Sequence, residues 1–276
     1  MQNNHFAEQI SNFISLRLCY RTAMLEGKNI SVVVPAYNEA NLIEQTLASI
    51  PDYVDHICVV DDASVDATVK KVSGYADSRL QLISHPMNQG VGAAIITGYR
   101  ESIRWGADVV AVMAGDAQMD PTDLENVILP VVRDIADYCK GDRLSWKGVH
   151  RVMPLLRFLG NHALSLITRL ACGYQDIRDS QCGYTAISGQ ILRKLNLSKI
   201  YTRYGFPNDL LAHLFTVQAR LAQVTVRPVY GDEKSGISLY TAFFRVPGVL
   251  FRAFVYRLRH RPSRLDKVAS TSVERA

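Results

Sequence analysis

Between residues 30 and 135 the chain repeats one pattern four times: a short apolar run, a polar cluster, then helical periodicity. The runs are "ISVVVP" (30–35), "HICVV" (56–60), "LQLIS" (80–84) and "DVVAVM" (108–113), with helical patterns near 39–50, 66–76, 90–104 and 121–135. Successive side chains of a strand point to opposite sides, so runs this continuously apolar suit strands covered on both faces. Strands alternating with helices at this spacing predict an α/β fold of βαβ units, with right-handed crossovers and a mostly parallel sheet. No Pro/Gly/Ser linker and no internal repeat divides the chain. Its 276 residues, 48% hydrophobic and 21% charged, suffice for one large core.

Such a sheet binds ligands beyond the carboxyl ends of its strands. There the sequence places "PAYNEA", "DDASVDAT", "NQGVGAA" and "GDAQMDP", one cluster after each run. A single cluster is an ordinary turn, whereas four in register describe one ligand-binding edge. Asp61 and Asp62 are adjacent at the second strand end, where like charges need a ligand or hydrogen-bond donors to support them. Ser64 and Asp66 suit the N-cap of the next helix, and Asp120, before Pro121, suits another. "NQGVGAA" lacks the G-x-G-x-x-G spacing and follows the third strand, so it is not a dinucleotide fingerprint.

Beyond residue 140 the rhythm changes. "MPLLRFLGNHALSLITRLACGY" reads as a long amphipathic helix, followed by a strand at "CGYTAIS", a helix near 207–219 and "LAQVTVRPV". A further helix is expected over 5–24. Five scattered cysteines with no C-x-x-C pair exclude a disulfide framework and a structural zinc site, and suit a reducing, cytoplasmic setting. Neither a secretory signal nor a spanning helix is predicted, which leaves a soluble or peripheral chain.

The net charge of +5 is concentrated near the C-terminus, where six arginines and no acid lie between Arg245 and Arg264. In "FFRVPGVLFRAFVYRLRHR" (243–261) Pro247 is placed to start a helix. Val249, Leu250, Phe254 and Leu258 fall near one face, with Arg252, Arg259 and His260 reaching the other. This pattern predicts a helix lying on a membrane surface. Packing against the rest of the chain or against a partner subunit are the alternatives. No nucleic-acid motif accompanies the charge.

The strand-end clusters resemble those of the family 2 glycosyltransferases with the GT-A fold: "VVVPAYNEANLIEQTL", "VVDDASVDAT" and "NQGVGAAIITGY" are similar to the family's first three strand–loop–helix units. The resemblance implies a nucleotide-diphosphate sugar donor lying across these loops. Pro35, Tyr37 and Glu39 would flank base and ribose, Asp61 or Asp62 would hydrogen-bond the base, and Gly90 and Gly92 would allow close packing near the nucleotide. The family's fourth strand ends in D-x-D, whose carboxylate holds a divalent cation. Here the matching stretch is Ala114-Gly115-Asp116-Ala117-Gln118, which makes Asp116 the implied ligand of Mg²⁺ or Mn²⁺ with Gln118 as a neutral oxygen donor. Ala114 replaces the first acid of that motif.

The second half is similar to the polyprenyl-phosphate glycosyltransferases in "CKGDRL", the long helix and "DSQCGYTAIS". A lipid phosphate is already ionised, so it needs cationic positioning more than deprotonation. Arg143 and Arg157 match the positions where the subgroup places arginines for it. Asp179 would orient the acceptor, or act as base toward an alcohol, with Asp209 its rival. An acid so near a helix start is also electrostatically at ease there. Lys234, in "YGDEKSGI", matches a basic loop that closes over the donor phosphates.

The resemblance thus implies inverting, metal-dependent transfer of a hexosyl group, of mannose or glucose type, to a polyprenyl or dolichyl phosphate. The enzyme would be peripheral on the cytoplasmic face of a membrane, alone, as a homo-oligomer or beside a membrane partner subunit. A soluble or polysaccharide hydroxyl acceptor is one alternative, and a noncatalytic nucleotide-sugar-binding subunit is another. The expected organisation is an extension over 1–29, a catalytic domain over 30–240 with donor (30–140) and acceptor (141–240) halves, and a basic segment over 241–276.

Overall fold

The first four strands form where the apolar runs predict them. The computed structural model describes residues 25–229 and 246–260, so the helix expected over 5–24 and the loop carrying Lys234 lie outside the described residues. The first half comprises β1 (Ile30–Ala36), α1 (Ile43–Ser49), β2 (His56–Asp61), α2 (Thr68–Ser73), β3 (Leu80–Ser84), α3 (Val91–Arg104), β4 (Val109–Val112) and α4 (Leu124–Val132). The other half holds β5 (Tyr138–Asp142), α5 (Val149–Val152), α6 (Leu155–Cys172), β6 (Thr185–Ser188), α7 (Gly189–Lys194), α8 (Phe206–Thr216), β7 (Leu221–Thr225) and α9 (Val246–Arg259).

The seven strands make one sheet in the order β3-β2-β1-β4-β6-β5-β7. β1 pairs in parallel with β2 and β4, so the chain order reverses around β1 and opens a crevice at its carboxyl end. β6 runs antiparallel between β4 and β5, and β5 pairs in parallel with β7. All seven residues of β1 are buried. Its alternating side chains feed two cores: Val33 packs with residues of α3, α7 and α8, while Val32 and Val34 pack with α1 and α4. Where α3 packs on β1, a Cβ added to Gly98 would lie 2.3 Å from Val33.

β5, absent from the sequence expectation, has the sequence YCKGD and is buried throughout, Lys140 and Asp142 included. The C-terminal helix forms as expected but does not stand apart from the α/β unit. Val246 and Leu250 pack with Ala171 of α6, Ala253 joins the main core, and Arg252 Nε lies 3.3 Å from Asp209 Oδ1. Half of the apolar face expected to meet lipid is therefore covered by the protein itself. Phe251, Phe254 and Leu258 stay exposed.

Candidate active site

Each of the four loops leaving the parallel strands contains a residue in the left-handed region: Asn38 (φ 58°), Ala63 (φ 64°), Gly90 (φ 99°) and Ala117 (φ 54°). Two are alanines, for which this backbone is unfavourable, so the turns are imposed by surrounding contacts. Tyr37 is exposed on the first loop, beside the buried Pro35, whose carbonyl accepts the Gly115 N–H. The Glu39 backbone N–H donates to Thr68 Oγ1. Ser64 is a loop tie, its Oγ accepting from Asn38 N–H, whereas Asp66 accepts from Ala40 N–H and from the N–H of Thr68, the first residue of α2, and so serves the helix start as expected. The cap position itself is Ala67.

The adjacent carboxylates find their donors within the chain. Asp61 accepts from Ser64 N–H. Asp62 accepts from Gln89 N–H (2.9 Å) and Gly90 N–H (2.7 Å) and lies 2.8 Å from His85 Nδ1, whose Nε2 lies 3.0 Å from Thr97 Oγ1. Asp62 thus fastens the third loop to the second, at the edge where the resemblance places the donor base. Gly90 and Gly92 are likewise occupied by the protein. A Cβ at either would come within 2.8 Å of the Thr202 carbonyl, and that carbonyl accepts the Ala93 N–H. Their close packing is with the 202–206 loop of the second half.

Asp116 and Gln118 line a cavity of about 170 Å³ together with Arg143, Cys182, Tyr184 and Arg227. Burial pushes the Asp116 carboxyl above its usual range, and the Gln118 N–H, 3.1 Å away, only partly offsets this. No basic side chain pairs with Asp116 among the described residues. Nor do those residues contain a group of three His, Cys, Asp or Glu side chains that could hold a metal. Asp120 caps the 3-10 turn Pro121–Asp123 by accepting from Thr122 N–H, as expected. It also lies 3.9 Å from Arg227.

Arg143 reaches the cavity from the end of β5, gripped by the fully buried Asp179 at two points: Nε to Oδ2 at 2.8 Å and Nη2 to Oδ1 at 3.1 Å. The backbone N–H groups of Gln181 and Cys182 complete the Asp179 shell. Burial alone would raise the Asp179 carboxyl, but Arg143 and then Lys140 outweigh it and hold it below the usual range. Lys140, fully buried, donates to the Cys182 carbonyl. Arg157 of α6 is not among the residues lining the cavity, although it and Arg143 both act electrostatically on the Tyr204 phenol. The phenol is nonetheless raised, chiefly by burial.

Asp209 does not line this cavity. It accepts from Tyr201 N–H (2.7 Å) and sits 3.6 Å from His213 as well as beside Arg252. Burial opposes its charge, but His213, the Tyr201 N–H and Arg252 prevail and hold its carboxyl low. Arg227, Lys140 and Tyr204 were not singled out from sequence. Only Arg227 carried a visible signal, as a cation just past the end of an apolar strand.

The model of the family described as Glycosyl transferase family 2 matches residues 31–195. A UDP-N-acetylglucosamine–dolichyl-phosphate N-acetylglucosaminyltransferase of Methanococcus voltae is 31% identical over 223 residues, 75% of this chain and 88% of that protein. An undecaprenyl-phosphate mannosyltransferase of Micrococcus luteus is 30% identical over 71% of this chain and 82% of its own length. In three dimensions the fold matches glucosyl-3-phosphoglycerate synthase from Mycobacterium tuberculosis, crystallised with Mn²⁺, UDP and glucosyl-3-phosphoglycerate. That likeness has a TM-score of 0.67 at 23% identity and covers 85% of this chain and 83% of the other.

Proposed function

Because the chain belongs to glycosyl transferase family 2 and is a glycosyltransferase, we propose that it moves a hexosyl group from a nucleotide-diphosphate sugar to a polyprenyl phosphate at a membrane surface. The observation that carries this reading is the single cavity faced by both Asp116 with Gln118 and the Asp179-braced Arg143. An acceptor phosphate oxygen held by Arg143 and Arg157 attacks the anomeric carbon. The bond from that carbon to the donor's phosphate oxygen breaks, and the nucleoside diphosphate leaves with the electron pair. No proton needs removal from an ionised phosphate. That favours this acceptor over a hydroxyl, because Asp179 and Asp209 are both held as weak bases by their cationic neighbours.

Asp116 fits a divalent cation: it is a largely buried carboxylate without a basic partner among the described residues, and Gln118 adds a neutral oxygen. One carboxylate does not make a cage, which suits Mg²⁺ or Mn²⁺ held jointly with the donor diphosphate. A cation there would supply charge neutralisation for the leaving group. Pro35, Tyr37, Glu39 and Asp61 flank the donor base and ribose. Asp62, Gly90 and Gly92 shape that edge through the contacts described above.

The membrane reading draws on α6. Leu155, Leu156, Leu159, Leu166, Ile167 and Leu170 are half or more exposed and lie on one side of the helix, while Ser165, Thr168, Ala171 and Cys172 face inward. The apolar side of this helix is its outer one, and Phe254 and Leu258 of α9 extend it. No described helix is long and apolar enough to cross a membrane. The test is incubation with a panel of labelled nucleotide sugars, undecaprenyl or dolichyl phosphate, and Mg²⁺ or Mn²⁺. Label entering the lipid fraction supports the proposal. Transfer only to water or to soluble alcohols defeats it.

A further inference from the structure

Helix α9 presents a second surface, turned away from α6. Val246 and Leu250 face α6, whereas Phe251, Arg252, Tyr256, Arg259 and His260 line an open groove of about 600 Å³ closed on its other side by residues 198–202. Lys199 adds a fourth basic side chain, and no carboxylate lines the groove. Arg252 is committed to Asp209 and the Lys199 carbonyl, and the His260 ring to the Tyr256 carbonyl. Lys199 and Arg259 make no ion pair among the described residues, and both are exposed.

One edge of the groove is apolar. Phe251, 70% exposed, lines it and continues into Phe254 and Leu258, which follow at the three- and four-residue spacing of one helix face. That ridge lies between the groove and α6. A surface that seats Phe251, Phe254 and Leu258 in acyl chains therefore brings Lys199 and Arg259 to headgroup level, where aromatic and basic side chains are at ease together.

We propose that this groove binds the phosphate of an anionic membrane phospholipid, with Lys199 and Arg259 as its donors. The site is separate from the cavity that holds Asp116 and Arg143. It rests on the reading that the enzyme works at a membrane, and gives that membrane a required charge. Charge complementarity commits it to an anionic lipid, and the one-sided apolar ridge favours a bilayer over a free anion or RNA.

The test is co-sedimentation of the full chain with phosphatidylcholine vesicles and with phosphatidylcholine–phosphatidylglycerol mixtures. The wild type should prefer the anionic vesicles. Lys199→Gln/Arg259→Gln should lose that preference, by roughly thirtyfold for two basic residues near such a surface. Binding to phosphatidylcholine alone, and transfer to a detergent-dispersed short-chain polyprenyl phosphate, should not change. Lys199→Arg/Arg259→Lys should retain the preference, which separates charge from any structural effect. An undiminished preference in the glutamine variant overturns the proposal. So does release of the wild type from anionic vesicles by inorganic phosphate or RNA at constant ionic strength. A preference that is lost in the glutamine variant supports the groove even if no polyprenyl phosphate is ever glycosylated, so the two readings fail separately.

Discussion

Arg143 and Asp179 form a two-point contact, 2.8 and 3.1 Å, with the carboxylate fully buried and the guanidinium turned to the cavity. Asp179→Asn keeps the shape but removes the charge that aims Arg143. Breaking one side of a buried pair should lower stability by about 3 kcal/mol, the low end of the usual range because Arg143 reaches solvent. The apparent KM for polyprenyl phosphate should rise more than that for the donor. Arg143→Ala should share the acceptor defect, and a double-mutant cycle should give less than the sum.

Acid should unfold the protein through the same acids. Asp179 and Asp209 have carboxyl groups held below their unfolded value, so each adds stability that is complete above that value, about 4, and is lost as pH falls through the folded one. Their contribution to the thermal midpoint should be level from neutrality to about pH 4 and then fall away. Asp179→Asn should start lower and lose less over that interval. An equal acid limb in the variant would assign the transition elsewhere.

Asp116 has the opposite sign. Its carboxyl is raised by burial, so its ionised form weighs against the fold at neutral pH. Asp116→Asn should abolish transfer, by at least about a hundredfold for a lost charge contact at the reacting groups, yet raise the melting temperature of the protein without metal or nucleotide. Scanning calorimetry with and without Mn²⁺ and nucleoside diphosphate checks both parts. The metal-dependent gain seen in the wild type should vanish in the variant.

Leu159→Gln/Leu166→Gln replaces two outward-facing residues, 55% and 57% exposed, on α6. Stability should stay within about 0.5 kcal/mol, as for surface changes generally. Vesicle binding and use of long-chain acceptors should fall together, while a short-chain acceptor in detergent is used normally.

Gly92→Ala should cost about 1–3 kcal/mol, because the added methyl lies 2.7 Å from the Thr202 carbonyl and 2.8 Å from Phe206. Donor KM should rise as the 88–92 loop is displaced, with urea unfolding and initial-rate kinetics as the measurements.

The first half was legible because its strands are continuously apolar and its polar residues stop at the strand ends. β5 was not: Tyr138-Cys139-Lys140-Gly141-Asp142 reads as a polar turn, and only tertiary contacts explain a buried lysine donating to the Cys182 carbonyl. The long helix over 155–172 was visible as amphipathic, but periodicity does not say which face turns inward. In α6 six large aliphatic residues turn outward, while the inward side carries the small Ser165, Thr168, Ala171 and Cys172. Conversely, the arginine-rich C-terminal segment looked like the outer helix, yet Arg252 is drawn back onto Asp209, a partner 43 residues away that no local pattern announces. Adjacent Asp61 and Asp62 announce a need for donors, but that Asp61 takes the Ser64 N–H and Asp62 the N–H groups of Gln89 and Gly90 depends on how the second and third loops fold.

The contact of Thr202 with Gly90 and Gly92 also governs how this enzyme could be recombined. Exchanging the segment after residue 140 for that of a relative, to change what accepts the sugar, would bring in a foreign loop against two glycines fitted to this one. Hybrids should work only when residues 88–93 and 201–206 travel together, so the smallest transferable unit is a discontinuous pair of peptides and not the C-terminal half.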